Sequence, residues 1–163
     1  MISHAIELAR ESRLFDDIIV STDDRETEEI AERYGANIFR RPYDDGSRGT
    51  QEVTAEVLRE MKTVRYACCL YPCSPLVVVA DLLQAQRMVV SYAHLYAMGV
   101  GAQPLRDAGA FYLGQAFAFV ENDPLIGPWT SLIRLPESRV VDINTQEDWD
   151  LAEMLYASLR DNK

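Results

Sequence analysis

Apolar and polar residues alternate along the chain with two different periods, and each period predicts one type of element. Apolar residues spaced by three or four positions indicate amphipathic helices, and short runs of β-branched apolar residues indicate buried strands. Helices are predicted at residues 2–13, 24–34, 50–61, 81–90 and 116–120, with a last helix capped by Thr145 and Asp148. Strands are predicted at residues 17–22, 37–39, 66–71, 96–100, 110–113 and 140–143.

Strands and helices alternate along the chain, an order typical of a three-layer α/β fold. It predicts a mostly parallel sheet with helices on both faces, in a single domain that spans residues 1–163. Ligands of open α/β sheets bind at the carboxyl ends of the strands. The first candidates for a site are therefore the polar residues at or just after the predicted strand ends: Asp23, Asp24, Arg41, Ser74, Asp142 and Asn144.

Two features depart from the usual pattern of a nucleotide-binding α/β domain. The chain begins with a predicted helix rather than a strand, and it contains neither a GxGxxG nor a GxxxxGKS/T motif. The segment Gly99–Arg106 joins two predicted strands without a clear connecting element. The motifs of the common nucleotide-binding folds therefore do not identify a site here.

The formal net charge of −10 narrows the classes of partner. Nucleic-acid binding depends on clustered Lys and Arg, so an acidic chain is a poor candidate for it. A nucleotide substrate stays open, because a polyanionic ligand needs only a local cluster of cations or a metal in one cleft. The composition is that of a globular domain, and no apolar run is long enough to cross a membrane.

The three cysteines, Cys68, Cys69 and Cys73, lie close together. They contain no CxxC pair, and metal sites normally draw on spaced ligands. We therefore expect reduced thiols of the core in a cytoplasmic protein. A catalytic thiolate needs a basic neighbour, and none is evident beside Cys73.

Five segments, in order along the chain, resemble the acylneuraminate cytidylyltransferase family. They begin at Phe15, Arg41, Cys68, Asp107 and Val141, and they read FDDIIVSTDD, RPYDDGSRGT, CCLYPCSPL, DAGAFYLG and VDINTQEDW. The third and fourth are similar to CCLYPTAP and HDAGQFYWG of the pseudaminic-acid branch. The resemblance covers almost the whole chain, from Ile2 to Tyr156.

The resemblance implies a Rossmann-like nucleotidyltransferase fold and a defined reaction. Members of the family join a nine-carbon sugar acid to CMP from CTP and release pyrophosphate, with Mg²⁺ as the cofactor. The resemblance thus implies a homodimer whose substrates are CTP and a nonulosonic acid. Pseudaminic acid is the first expectation for the sugar, and sialic and legionaminic acids are the alternatives.

The resemblance also implies a metal site. Asp142 and Asn144 stand where the family has a metal-binding Asp-Ile-Asp pair, and Asp142 is the expected catalytic residue. The amide oxygen of Asn144 can bind a hard cation but lacks the charge, so weaker metal binding is expected. The alternative is that both residues merely cap the final helix.

Further residues are implied as substrate contacts. Arg41 and Ser74 are the expected nucleotide contacts, whereas Gln103, Asp107 and Tyr112 lie in the part that resembles the sugar-binding region. The alternatives are a surface arginine at position 41 and a simple Pro-rich turn around Ser74.

Two parts of the family pattern are missing from the sequence. The family opens with a strand and a loop resembling ARGGSKRIPRKN, which holds the CTP phosphates, and this segment is absent. The family also has a long excursion after the strand near Val100, which contributes to the sugar pocket and to dimerisation, and here it is reduced to a few residues. A second hypothesis is therefore a truncated, non-catalytic member of the family that binds a nucleotide or a partner.

Overall fold

The computed structural model of the chain describes residues 1–43, 46–61, 63–102 and 104–161. For residues 160 and 161 it describes the main chain alone. The helices are α1 (Ile2–Ser12), α2 (Arg25–Arg33), α3 (Thr50–Glu60), α4 (Val79–Ser91), α5 (Ala116–Val120) and α6 (Gln146–Asp161). The strands are β1 (Ile19–Thr22), β2 (Asn37–Arg40), β3 (Tyr66–Leu70), β4 (Tyr96–Ala102), β5 (Leu105–Gln115) and β6 (Thr130–Arg134). A short 3₁₀ helix, Glu137–Arg139, precedes α6. Within these residues no helix is both long and apolar enough to cross a membrane.

The ends of two helices follow capping residues in the sequence. Asp24 accepts a hydrogen bond from the Thr27 N–H at 2.7 Å at the start of α2, and Gly35, with φ of 75°, follows the end of that helix. At the start of α6 the Thr145 N–H donates to Asp148 Oδ2 at 2.8 Å, and the Asp148 N–H donates to Thr145 Oγ1 at 3.2 Å. The predicted capping box of the last helix is therefore present.

The strands described form two sheets. β1 and β2 pair in parallel, and the other four strands form a larger sheet in the order β3-β5-β4-β6. In the larger sheet β5 is antiparallel to β3 and to β4, whereas β6 is parallel to β4. β3, β4 and β6 therefore run in one direction, and β5 runs against them.

Alternate residues of the central strand β4 face two different layers of helices. Ala97 packs in a buried cluster with Leu82 of α4. Met98 packs on the opposite face, in a cluster with Leu58 of α3 and Phe119 of α5. Each such large side chain contributes about 1.5–3 kcal/mol by its burial. The larger sheet is thus the middle layer of three.

The last strand lies earlier in the chain than the sequence pattern predicts. The strand predicted at residues 140–143 is wrong, because these residues form an irregular segment and the last strand is β6. Val141 is apolar because it packs against Leu76 in a small cluster beneath α6, not because it belongs to a ladder. In β6 Ile133 is buried and its neighbour Leu132 is 42% exposed. Because both residues are apolar, the alternation of apolar and polar residues that indicates a strand is not visible in the sequence.

A hairpin occupies the segment Gly99–Arg106. Ala102 of β4 pairs with Leu105 of β5, so two residues connect the strands, and the register shifts between Met98 and Val100. β5 therefore begins well before the strand predicted at residues 110–113. The direct strand-to-strand connection seen in the sequence thus joins two neighbouring antiparallel strands.

Candidate active site

The end of β3 and the beginning of β5 lie side by side at one edge of the larger sheet. The two strands are antiparallel, and beyond the pair Leu70–Phe111 the Tyr71 N–H donates to the Ala110 carbonyl oxygen at 2.9 Å. The loop after β3 therefore meets the first part of β5. The carboxyl ends of β3, β4 and β6 share this edge, which is where ligands bind to α/β sheets.

Ser74 and Asp142 both lie against Gly109. The Ser74 hydroxyl, in a residue only 6% exposed, donates to the Gly109 carbonyl oxygen at 2.8 Å. A Cβ placed on Gly109 would lie 3.4 Å from the carboxyl carbon of Asp142. The Ile143 N–H also donates to the Cys73 carbonyl oxygen at 3.2 Å. The structure therefore brings the predicted site residues Ser74 and Asp142 together, although Asp142 is not on a strand.

The Asp142 carboxylate is exposed, and none of the ion pairs among the described residues includes it. The Cys73 thiol donates a hydrogen bond to this carboxylate. Burial, followed by that hydrogen bond and the charge of Asp142, raises the pKa of the Cys73 thiol to about 11. The thiol is therefore neutral at physiological pH, and the negative charge of Asp142 is left for another partner.

Asn144 lies beside Asp142, and neither side chain caps the last helix. The Asn144 amide donates to the main-chain oxygen of Asp142 at 3.2 Å, and the cap is formed by Thr145 and Asp148. Asn144 joins the cap only through its N–H, which donates to Asp148 Oδ2 at 3.1 Å. Because this segment is irregular, Asp142 and Asn144 do not share a face in the way that alternate residues of a strand do.

A hard cation fits this group of residues. Mg²⁺ is usually held by one or two carboxylates together with water and substrate phosphates. Asp142 offers one exposed carboxylate, and Asn144, whose amide nitrogen bonds the Asp142 main-chain oxygen, has an amide oxygen as a further hard ligand. Over the described ranges no group of three or more His, Cys, Asp and Glu side chains could hold a metal. A cation at Asp142 would therefore take its other ligands from a bound nucleotide and from water.

Asp107 and Tyr112 form a second group at the same edge. The Tyr112 hydroxyl donates to the Asp107 carboxylate, which also accepts a hydrogen bond from the Gly109 N–H at 2.9 Å. The Tyr112 ring lies edge-on to the Tyr71 ring at 6.0 Å, and the hydroxyls of Tyr71 and Thr50 are hydrogen-bonded. Sequence reasoning missed Tyr71 and Thr50, although each stands at the end of an element, directly after β3 and at the start of α3.

The two tyrosines of this group are protonated over the physiological range. Burial raises the pKa of Tyr71, and burial together with the hydrogen bond to Asp107 raises the pKa of Tyr112. Both phenols therefore act as neutral hydrogen-bonding groups at the edge of the sheet.

Arg41 lies with the smaller sheet. Its main-chain N–H donates to the Thr22 carbonyl oxygen at 3.1 Å, and its guanidinium is 3.8 Å from the Asp23 carboxylate. These contacts place Arg41 at the carboxyl ends of β1 and β2, whereas Ser74 and Asp142 belong to the edge of the larger sheet. The predicted contact Gln103 lies outside the described residues, as do residues 44–45 of the second resembling segment.

The three-layer fold is that of a nucleotidyltransferase-like α/β domain. The fold is similar to that of Rv0371c from Mycobacterium tuberculosis H37Rv in complex with manganese, with a TM-score of 0.64 at 15% identity over 94% of this chain and 84% of that one. It is also similar to 4-diphosphocytidyl-2C-methyl-D-erythritol synthase from Anaerococcus prevotii DSM 20548, with a TM-score of 0.64 at 12% identity over 98% and 85% of the two chains. The predicted fold class is confirmed.

Sequence comparison then gives the family. The family model described as Cytidylyltransferase matches residues 1–112. Pseudaminic acid cytidylyltransferases from Campylobacter jejuni strains 81-176 and NCTC 11168 are each 30% identical to this chain, over 96% of it and 84% of the relative. A Helicobacter pylori protein, named as a pseudaminic acid cytidylyltransferase and UDP-2,4-diacetamido-2,4,6-trideoxy-beta-L-altropyranose hydrolase, is 28% identical over 88% of this chain and 35% of its own length. The chain belongs to the cytidylyltransferase family and is a nucleotidyltransferase, as its sequence predicts.

Proposed function

We propose that the chain is a pseudaminic acid cytidylyltransferase. The anomeric hydroxyl of the sugar acid gives its proton to water, and its oxygen forms a bond to the α-phosphorus of CTP. The bond from the α-phosphorus to the oxygen leading to the β-phosphate breaks, and pyrophosphate leaves with the electron pair. The observation that carries the proposal is that Asp142 and Ser74 both lie against Gly109, at the carboxyl ends of the parallel strands of the larger sheet. The 30% identity to pseudaminic acid cytidylyltransferases supports the choice of sugar.

Asp142 is the proposed metal ligand and catalytic residue. Negative charge accumulates on the phosphate oxygens during nucleotidyl transfer and has to be met by cations. Mg²⁺, when bound, neutralises this charge and orients the phosphates. Asp142 would hold the cation through its carboxylate, and Asn144 would contribute its amide oxygen. The manganese complex of Rv0371c supports a divalent cation on this fold.

Ser74 and Arg41 are the proposed nucleotide contacts. The Ser74 hydroxyl already donates to Gly109, so it still has lone pairs with which to accept a hydrogen bond from the nucleotide. The Arg41 side chain is 22% exposed and supplies positive charge at the carboxyl ends of β1 and β2. The two residues would therefore approach the nucleotide from the two sheets.

Asp107 and Tyr112 are the proposed contacts to the sugar acid. The Asp107 carboxylate is oriented by the Tyr112 hydroxyl and by the Gly109 N–H. A carboxylate has about four lone-pair sites, so it can accept further bonds from hydroxyl or amide groups of a sugar. Gln103 stays a prediction for the same role.

Pyrophosphate release from CTP tests the proposed function. Full-length protein with Mg²⁺ is given pseudaminic, sialic or legionaminic acid in parallel, and fastest release is expected with pseudaminic acid and none with EDTA. Asp142→Asn should lower the rate by about 100-fold, because the cation that meets the transition-state charge loses its carboxylate ligand. Asp150→Asn, which removes an exposed carboxylate of α6, is the matched control and should leave the rate unchanged.

The other outcomes separate the alternatives. Faster release with sialic or legionaminic acid would correct the sugar and keep the reaction. CTP binding without release from any of the three acids would favour the truncated, non-catalytic member of the family.

The resemblance also supports a cytoplasmic homodimer as part of the proposal. Light scattering coupled to gel filtration should give twice the mass of one chain. A monomeric mass at micromolar concentration would contradict the dimer without affecting the reaction.

A further inference from the structure

The segment that carries Asp142 lies outside the sheet, so contacts other than a β-ladder hold it in place. Its last main-chain hydrogen bond to the sheet is donated by the Leu135 N–H to the Val100 oxygen at 2.9 Å, and the Glu137 carboxylate then accepts one from the Ala102 N–H of β4 at 2.8 Å. The 3₁₀ helix Glu137–Arg139 follows, and then irregular chain leads to α6. The position of Asp142 therefore depends on what anchors the 3₁₀ helix before it, together with the Ile143–Cys73 hydrogen bond after it.

Arg139 anchors this helix through a largely buried ion pair. Its guanidinium makes a two-point contact with the Asp81 carboxylate, in which Nη2 lies 3.1 Å from Oδ1. The two side chains are 13% and 8% exposed. Nη1 of Arg139 also donates to the Leu76 carbonyl oxygen at 3.3 Å. Such two-point contacts of arginine with a carboxylate fix geometry as well as charge.

The partners of Arg139 lie between the loop after β3 and the start of α4. Asp81 accepts a hydrogen bond from the Val78 N–H at 2.9 Å, which fixes the carboxylate at the first turn of α4. Leu76, 1% exposed, packs in one cluster with Val141. The ion pair thus joins the loop that carries Ser74 to the segment that carries Asp142.

We propose that Arg139 and Asp81 are positioning residues whose ion pair holds Asp142 where a divalent cation binds against the Ser74 loop. This inference rests on the proposed function, because it acts through Asp142. A second ion pair of the same 3₁₀ helix, Arg106–Glu137, has side chains that are 42% and 43% exposed. Exposed ion pairs constrain geometry little, so among the ion pairs of this helix the constraint comes from Arg139 and Asp81.

The inference is tested by measuring Mn²⁺ binding in the presence of CTP, which does not rely on turnover. The electron paramagnetic resonance signal of free Mn²⁺ reports how much of the ion is bound. Asp81→Asn should weaken Mn²⁺ binding by about tenfold, as is usual for residues that orient a metal ligand. Glu28→Gln is the matched control, because it removes another carboxylate of low exposure that pairs with an arginine, Arg40, in the smaller sheet region. Both variants should lower the Tm, but Glu28→Gln should keep the wild-type Kd for Mn²⁺.

Two further variants separate positioning from general stability. Arg139→Lys keeps the charge and loses the two-point contact, so its Kd should lie between those of the wild type and of Asp81→Asn. The double variant Asp81→Asn/Arg139→Gln leaves no buried charge unpaired, so its Tm should recover while its Mn²⁺ binding stays weak.

The failures are distinguishable. A wild-type Kd in Asp81→Asn and in the double variant would overturn the positioning role and leave the proposed function in place. A wild-type protein that binds no Mn²⁺ with CTP and releases no pyrophosphate would overturn the proposed function and the positioning role with it.

Discussion

The main-chain N–H of Ile143 donates a hydrogen bond to the carbonyl oxygen of Cys73 at 3.2 Å. This bond joins the loop after β3 to the segment before α6, two parts of the chain that are far apart in sequence. The same approach brings the Cys73 thiol to the Asp142 carboxylate. A substitution in either segment should therefore alter the chemistry of the other.

Asn144→Asp should strengthen metal binding. The substitution places a second carboxylate beside Asp142, and a divalent cation gains from each added charge. We expect the Kd for Mn²⁺ to fall by about tenfold, which corresponds to about 1.4 kcal/mol. Calorimetry measures the change, with Gln146→Glu as a control that adds a charge to the first turn of α6. An equal gain in both variants would indicate a long-range effect of charge and not a ligand at position 144.

Gly109→Ala should destabilise the fold and weaken metal binding. Gly109 has φ of 57°, and a non-glycine residue in this region costs about 1–2 kcal/mol. The added Cβ would also lie 3.4 Å from the Asp142 carboxyl carbon, where it restricts that side chain. Urea unfolding measures the free energy of unfolding. Gly127→Ala, whose Cβ has no close neighbour, is the control and should leave that free energy unchanged.

Tyr112→Phe should raise the KM for the sugar acid more than the KM for CTP. The substitution keeps the ring and removes the hydroxyl that orients the Asp107 carboxylate. We expect about a fivefold change, equivalent to the about 1 kcal/mol of one hydrogen bond. Steady-state kinetics with each substrate varied in turn checks it, and Tyr66→Phe, on the exposed start of β3, is the control. An equal rise in both KM values would argue against a specific role in sugar binding.

Arg41→Gln should raise the KM for CTP by about 10- to 100-fold, because a charge-assisted hydrogen bond contributes about 1.5–3 kcal/mol. The KM for the sugar acid should stay the same. Arg25→Gln, at a side chain 88% exposed, is the matched control for the loss of one positive charge. Unchanged kinetics in Arg41→Gln would leave Arg41 as a surface residue paired with Asp23.

The Cys73 thiol should react slowly with iodoacetamide at pH 8. Its pKa is raised from 9.0 to about 11, so the contribution of the neutral thiol to stability is present below pH 9 and is lost as the pH rises towards 11. Asp142→Asn removes a charge that raises this pKa, so alkylation should become faster. Mass spectrometry of the modified peptide over pH 8–11 checks both rates, and a wild-type rate that levels off by pH 9 would contradict the expected pKa.

Elements with both a clear period and a capping residue were predictable from the sequence. The helix predicted at residues 24–34 is α2, Arg25–Arg33, which Asp24 caps, and the helix after Thr145 is α6. The prediction failed where apolar residues serve packing outside a sheet, as Val141 does, and where an edge strand exposes an apolar residue, as β6 does with Leu132. A local pattern does not distinguish these cases, because tertiary packing decides them.

The candidate site was predictable only in part. Ser74 was recognised by its place after a strand, but its partner Gly109 lies at this edge only because β5 runs against β3. Strand direction depends on pairing between distant segments, which the local pattern does not encode. The hydrogen bond between Tyr71 and Thr50 likewise depends on how α3 packs against the sheet.

The two-residue connection between β4 and β5 has a consequence for how this enzyme can be remodelled. The free energy of closing a loop grows only with the logarithm of its length, by about 0.6 kcal/mol for each doubling. The hairpin tip, where Leu105 is 57% exposed, is therefore a place at which whole segments can be grafted or deleted while the ladder below stays intact. The Campylobacter alignments extend over 196 positions, more than the 163 residues of this chain, so these sequences differ by insertions and deletions. A reporter peptide inserted at the tip should accordingly leave the nucleotidyl-transfer core folded.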